Sequence, residues 1–214
     1  MPKLSYPLTC FLKANHELIR KNDFNKLYDL IHNNLRAEFT GELTDTLLAC
    51  GIDPAIYFKD SLPWNYLIGS KIKEYIVPDN IEWLDPKCFA YCRELEKVVL
   101  PPSLCHIGDE AFKDCMMLDD INLKDCGRLK TIDYGAFSGC LFTNIELPEG
   151  LHTIEQDAFE RCAMLEKILI PLSVNAIDEN AFSEVPKSMV IKCYENSYAK
   201  TYAEAHGFKT EYIK

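Results

Sequence analysis

The sequence predicts an α+β chain whose larger part is a curved solenoid of about five to six coils, each roughly 23 residues long. Three observations carry that expectation. A buried-type aromatic recurs at Tyr66, Phe89, Phe112, Phe137, Phe159 and Phe182, at gaps of 23, 23, 25, 22 and 23 residues. Between the aromatics runs a short apolar alternation, Val98-x-Leu100, Ile121-x-Leu123, Ile145-x-Leu147 and Ile168-x-Ile170, which is the period-two signature of a strand. Residues 1–62 show neither feature and carry helical periodicity instead. Units this short cannot enclose their own apolar face, so they must stack on one another.

Residues 1–62 read as an N-terminal helical capping module. Amphipathic stretches cover Leu8–Lys21, Phe24–Asn33 and Thr40–Cys50. Asp23 suits the N-cap of the second, Gly51 the C-terminal stop of the third, and Asp53-Pro54 opens a short fourth turn with proline at its first position. Leu27, Leu30, Ile31 and Leu35 form one apolar stripe. Such a bundle shields the first strand, whose free edge would otherwise template aggregation. A dedicated partner-binding domain is the other reading. The half-repeat from Tyr66 to Pro78 follows without a Gly/Ser linker, so module and coils are expected to share one core.

Residues 63–193 form the coils. In the unit from Phe89 to Phe112 the apolar positions are Cys92, Leu95, Val98, Leu100, Leu104 and Ile107, and later units repeat them in phase. Like side chains therefore stack on like. Pro78, Pro101, Pro148 and Pro171 end strands, because proline lacks the N–H that would continue a ladder. The pairs Ala111-Phe112, Ala136-Phe137, Ala158-Phe159 and Ala181-Phe182 read as short helical turns on the opposite side. Turns wider than strands would curve the stack, with strands inside. One unit has Lys124 where proline would stand and two extra residues within Lys124–Arg128. It predicts a small loop on one rim. Cys92, Cys115, Cys140 and Cys162 each follow a phenylalanine by three residues. Cysteine there acts as a small core hydrophobe, with no disulfide required.

The run Leu165-x-x-Ile168-x-Ile170-Pro171-x-Ser173-Val174-x-x-Ile177-x-x-x-Ala181-Phe182 resembles the BspA-like class of leucine-rich repeat, which includes a Treponema pallidum repeat protein. The resemblance extends from about Trp64 to the C-terminus. It implies a leucine-rich-repeat solenoid used for adhesion and protein–protein contact, with no catalytic residues. Residues 194–214 look like that class's closing cap: Ser197 as N-cap, a helix over Tyr198–His206, Gly207 just beyond it, and a strand-like Tyr212-Ile213. The N-terminal module is loosely similar to those fused to such repeats in phage and mobile-element proteins.

The chain carries a net charge of −10. Residues 1–62 hold 7 basic and 8 acidic side chains, and the rest hold 16 and 25, so the solenoid carries −9. An acidic surface repels phosphates, so no direct nucleic-acid binding is expected and a basic protein partner suits it better. No apolar run approaches 18 residues, so no membrane insertion is expected. Met1–Pro7 lacks the apolar core of a secretory signal. Together with cysteines read as thiols, this points to a cytoplasmic location (host cytoplasm if phage-encoded), with an extracellular surface as the alternative. No phosphate loop, nucleophile elbow or metalloprotease motif is present, so neither catalytic residues nor a cofactor are expected. Cys88, Cys92, Cys105 and His106 lack the doubled pair spacing of a zinc site, so no metal is expected.

The expected function is a non-enzymatic protein–protein interaction module that uses its strand face. Six strands spaced by about 4.8 Å would give a continuous face on the order of 25 Å long. Its outward side chains are Glu74, Ile76, Lys97, Val99, Asp120, Asn122, Asn144, Glu146, Lys167, Leu169 and Lys192. Two alternatives stand beside it: a phage- or mobile-element-encoded inhibitor that blocks a host nucleic-acid enzyme through its acidic surface, and a bacterial surface adhesin with its signal removed.

Overall fold

Residues 6–34 and 38–213 are described in the computed structural model; the expectations resting on Met1–Ser5 and on Leu35 lie outside them. Helices α1 (Tyr6–Ala14), α2 (His16–Arg20), α3 (Phe24–Asn34) and α4 (Glu38–Ala49) open the chain, followed by a 3-10 turn at Pro54–Tyr57. The first expected helix is thus two. It breaks at Asn15, whose Nδ2 donates to the Phe11 carbonyl at 2.9 Å, the local competition that makes asparagine a poor helix-interior residue. α4 ends in a Schellman turn: Gly51 takes φ 76°, and Ile52 and Gly51 donate N–H to the Leu47 and Leu48 carbonyls, both at 2.9 Å. Leu27 and Ile31 are fully buried in the core they share with the coils.

The coils build three parallel sheets. One runs the length of the stack with two-residue strands: β1 (Ser61–Leu62), β3 (Trp83–Leu84), β5 (His106–Ile107), β7 (Thr131–Ile132), β9 (Thr153–Ile154) and β11 (Ala176–Ile177). The second holds β2 (Glu74–Ile76), β4 (Lys97–Val99) and β6 (Asp120–Ile121). The third holds β8 (Asn144–Glu146), β10 (Lys167–Leu169), β12 (Val190–Cys193) and β13 (Lys209–Tyr212). Helix α5 (Tyr198–His206) closes the C-terminal end, with Ser197 Oγ accepting the Lys200 N–H at 3.2 Å as N-cap and Gly207 in the left-handed region at φ 73°.

In the coils, four features depart from the sequence expectation. First, the strand face is not continuous: β6 and β8 do not pair. The 25-residue unit leaves the sheet after Ile121 through a 3-10 turn at Leu123–Asp125. The Asn122 side chain substitutes for the missing strand, its Oδ1 accepting the Leu100 N–H at 2.7 Å and its Nδ2 donating to the Leu100 carbonyl at 3.0 Å.

Second, the Ala-Phe segments are successive turns rather than helical ones. Alternate N–H groups stay within the coil (Cys92 to Phe89 O, 3.2 Å), while the others cross to the next coil (Phe89 to Ala111 O, 2.8 Å; Tyr91 to Lys113 O, 2.7 Å). The ladder therefore continues on this side too. Its geometry puts Lys87, Tyr91, Glu110 and Asp114 at φ between 53° and 62°.

Third, Leu67 rather than Tyr66 takes the phenylalanine phase in the first unit, since it donates N–H to Cys88 O at 2.6 Å as Phe89 does to Ala111 O. Fourth, the two-residue strands form a six-stranded sheet of their own, beyond the single strand per coil that the alternation predicts.

Stacking follows the expected phase from Phe89 onward. The rings of Phe89, Phe112, Phe137, Phe159 and Phe182 lie 4.9, 5.2, 5.5 and 5.3 Å apart and within 12° of parallel. Beside them runs a column of thiols. Cys115 donates to the Phe89 carbonyl at 3.1 Å, Cys140 to Phe112 at 3.1 Å and Cys162 to Phe137 at 3.3 Å. Cysteine suits this phase because it is small, apolar and still a weak donor.

The helical module is joined to the first coils by close packing and a polar network. A Cβ on Gly41 of α4 would land on the Ile68 carbonyl oxygen, so glycine lets the helix backbone touch the coil. Asp53 Oδ1 accepts the Ala55 N–H at 2.9 Å and the Tyr66 hydroxyl at 2.8 Å, and both its oxygens accept from the Tyr75 hydroxyl at 3.1 Å.

A smaller network ties the turns together. Glu110 receives Lys87 at 3.0 Å and also pairs with Lys113. Burial raises the Glu110 carboxyl, but the lysine hydrogen bonds and charges outweigh it and hold the group below its ordinary value. A depressed carboxylate stabilises the fold above its unfolded pKa, and that contribution is lost as pH falls through the folded value. Glu110→Gln should therefore lower Tm at pH 7, and calorimetry should find the gap to the parent closing as pH drops through the carboxylate range. A gap independent of pH would refute this.

Candidate binding surfaces

Ten of the eleven outward residues of the strand face, all but Asn122, fall into two columns set by strand register. One aligns Glu74, Lys97 and Asp120, then Asn144, Lys167 and Val190. The other aligns Ile76 with Val99, then Glu146, Leu169, Lys192 and, in β13, Glu211. All eleven are exposed or half-exposed. Asn122 alone is drawn into structural service, at the edge of β4. Between the two halves lies a notch of about 190 Å³ lined by Ile121, Lys124, Asn144, Ile145 and Glu146.

Charge on this face is largely self-satisfied. Lys97 meets Asp120 at 2.5 Å, Lys167 and Lys192 meet Glu211 at 2.7 and 3.7 Å, and Lys124 meets Glu146 at 3.5 Å. The hydrogen bond and charge of Asp120 raise the Lys97 ammonium, and Lys167 lowers the Glu211 carboxyl. Exposed pairs of this kind are screened by solvent and add little to stability. They hold side chains in place more than they stabilise the fold. What they leave open is apolar: Ile76 is 71% exposed, and Val99 and Leu169 are half-exposed.

A second face was not legible as a surface, because its strands are two residues long. The six-stranded sheet presents Trp83 beside His106, ring centroids 4.7 Å apart. Just past its strands stand Trp64, Tyr134 and several carboxylates. His106 Nε2 approaches Asp133 Oδ2 at 3.3 Å. On the turn side Met116, Met117 and Met164 are exposed, and Met116 lines a depression with Asp114, Gly139, Leu141 and Arg161.

The thiols of the core are poorly suited to nucleophilic chemistry. Burial pushes the thiols of Cys126 and Cys162 up to about 12 and raises those of Cys88, Cys92 and Cys115 well above the ordinary value. A protonated, buried thiol is inert as a nucleophile. Among the described residues no group of three or more His, Cys, Asp or Glu is placed to hold a metal ion. No helix among them is long and apolar enough to cross a membrane.

Comparison with known proteins places this geometry. No curated protein matches the chain. Among solved structures, a leucine rich cell surface protein from Faecalibacterium prausnitzii is 30% identical with a TM-score of 0.56, over 66% of this chain and 36% of that one. The leucine-rich repeat protein of T. pallidum is 30% identical with a TM-score of 0.53, over 59% of this chain and 60% of that one. The pneumococcal vaccine antigen PcpA, 18% identical with a TM-score of 0.55 over 73% of this chain and 45% of that one, shares the fold. This chain thus spans less than two thirds of each of these proteins. The BspA type leucine rich repeat region matches residues 61–140 and 127–209, in six copies, which takes in every strand from β1 to β12 and α5. By that match, and by the stacked rings and paired ladders that carry it, the chain belongs to the BspA type leucine-rich repeat family.

Proposed function

We propose that the chain is a non-enzymatic protein-binding module whose partner docks on the strand face. The family suggests protein–protein interaction or surface adhesion in general. The observation that points to this face is its pattern: exposed Ile76 and half-exposed Val99 and Leu169 lie among lysines and carboxylates already fixed in pairs. An apolar contact ringed by pre-positioned charges is the usual anatomy of a docking patch, with little ordering cost on binding.

The partner would be captured by crosslinking in the native host and measured against the purified chain. Ile76→Asp with Leu169→Asp should weaken binding at least about tenfold, as loss of apolar anchors does, while leaving Tm near the parent value. Undiminished binding by that variant would remove the strand face from the reading.

Two locations fit this role. The column of thiols hydrogen-bonded as thiols favours a reducing compartment. The likeness to a cell surface protein of F. prausnitzii favours the outside. We infer the first, because the thiol donors belong to the core itself. Fractionation of the native host decides between them.

A further inference from the structure

Both tryptophans of this chain lie on the face of the six-stranded sheet, which the strand-face reading leaves unused. Trp64 is 51% exposed and Trp83 45%, and Tyr134, just past β7, is 44% exposed. Interleaved with these rings, one or two residues beyond the ends of β3, β5, β7 and β9, are Asp85, Asp109, Asp133 and Glu155. Two shallow depressions follow this line. One, of about 240 Å³, is lined by Tyr28, Asp29, Pro63, Trp64 and Asp85. The other, of about 390 Å³, is lined by Asp109, Asp133, Tyr134, Glu155 and Gln156.

The charge here is arranged differently from that of the strand face. His106 meets Asp133. Among the described residues, no lysine or arginine pairs with Asp85, Asp109, Asp133 or Glu155. The nearby Arg128 is turned to Glu82 at 3.5 Å and Lys130 to the Gly150 carbonyl at 3.2 Å. Burial, together with the charges of Asp109 and Glu155, raises the Asp133 carboxyl despite His106. The free protein thus holds several like charges along one line with few counter-charges, an arrangement that repels itself and favours cations.

We propose that this face is a second docking surface, for an extended lysine- or arginine-bearing segment of a protein partner. Its cationic side chains lie over Trp64, Trp83 and Tyr134 and meet the carboxylates between them. Exposed aromatic faces attract cations, and carboxylates attract the same groups, so rings and acids select one ligand chemistry. An apolar partner would bury these carboxylates unpaired, and a nucleic acid would be repelled by them. The segment is extended because the acids climb the stack one coil at a time. Three coil steps of about 4.8 Å span roughly 14 Å, which about five residues of extended chain cover. The proposal rests on the reading of the chain as a protein-binding module but not on the strand face.

Because the chain has only these two tryptophans, its intrinsic fluorescence reports on this face directly. Titration with octa-arginine at moderate salt should shift the emission saturably, and a neutral Gly-Ser peptide of equal length should not. Asp109→Asn, Asp133→Asn and Glu155→Gln together should weaken octa-arginine at least about tenfold, since each removes a charge-assisted contact. Relief of repulsion should keep their Tm at or above the parent value. Glu155→Lys, a single exposed change, should weaken it in the same direction if the triple variant folds poorly. The Ile76→Asp, Leu169→Asp variant should bind octa-arginine like the parent, so either face can fail without the other. Equal binding by parent, triple variant and Glu155→Lys would mean attraction to net charge alone and would overturn the proposal. So would unchanged emission at saturating peptide, or a shift produced by a neutral oligosaccharide such as cellohexaose and not by octa-arginine.

Discussion

Replacing Phe137 with alanine is expected to cost about 3–5 kcal/mol of folding stability. The ring is fully buried. It stacks on Phe112 at 5.2 Å and Phe159 at 5.5 Å, and meets Phe142 edge-on at 5.7 Å. Deletion loses the transfer energy of the ring and leaves a hole, and the hole matters more where the surroundings cannot collapse. Here they are held on both sides. The six-stranded sheet fixes one wall, and the cross-coil bonds from Phe112 N to Ala136 O and from Phe137 N to Ala158 O, both 2.8 Å, fix the other. Each coil of a solenoid touches only its neighbours, so a defect at a central rung weakens the coupling of the two halves. Urea unfolding followed by far-UV circular dichroism measures the loss, with Phe137→Leu expected to fall between parent and alanine. A loss below about 1 kcal/mol would mean that the aromatic column does not set the stack.

The repeat was legible because stacking forces like residues into like phases, and Phe89 to Phe182 show that phase without a gap. What escaped was what the period does not constrain. At the first unit the marker shifts by one residue: Leu67 takes the phenylalanine place and Tyr66 turns instead toward Tyr28, Phe58 and Tyr75. A boundary coil packs against helices, so its aromatic answers to a different neighbour. The two-residue strands could not announce themselves, since alternation needs at least three positions, although β-branched pairs such as Thr131-Ile132 and Thr153-Ile154 were a signal.

The break between β6 and β8 was half visible. Lys124 in place of proline marked the irregular unit, but only geometry shows Asn122 standing in for a strand. For the same reason the strand-face residues were identified by alternation, whereas Trp64, Trp83 and Tyr134 gather on one face only through the fold.

Asp53→Ala should lower stability by about 3 kcal/mol or more, and should do so for helices and coils together. The change removes an N-cap, about 1 kcal/mol. It also leaves the hydroxyls of Tyr66 and Tyr75 short of their acceptor, at about 1–3 kcal/mol for each buried group. Tyr66 is fully buried and Tyr75 nearly so, which puts both toward the costly end. The two hydroxyls lie 3.3 Å apart and retain each other, which limits the sum. Tyr75→Phe, which keeps Asp53 with two of its donors, should cost about 1 kcal/mol.

The decisive quantity is cooperativity. The buried core runs unbroken from Leu8 to Phe208, and α4 presses its glycine backbone onto Ile68. Loosening Asp53 should therefore move one transition, seen alike by helical circular dichroism and by the tryptophans of the first coils. That is the behaviour of a cap, whose loss exposes the coil beneath it. Two separated transitions, with the helices melting first and the tryptophan signal unmoved, would show instead a module that folds for itself and is free to serve a partner of its own.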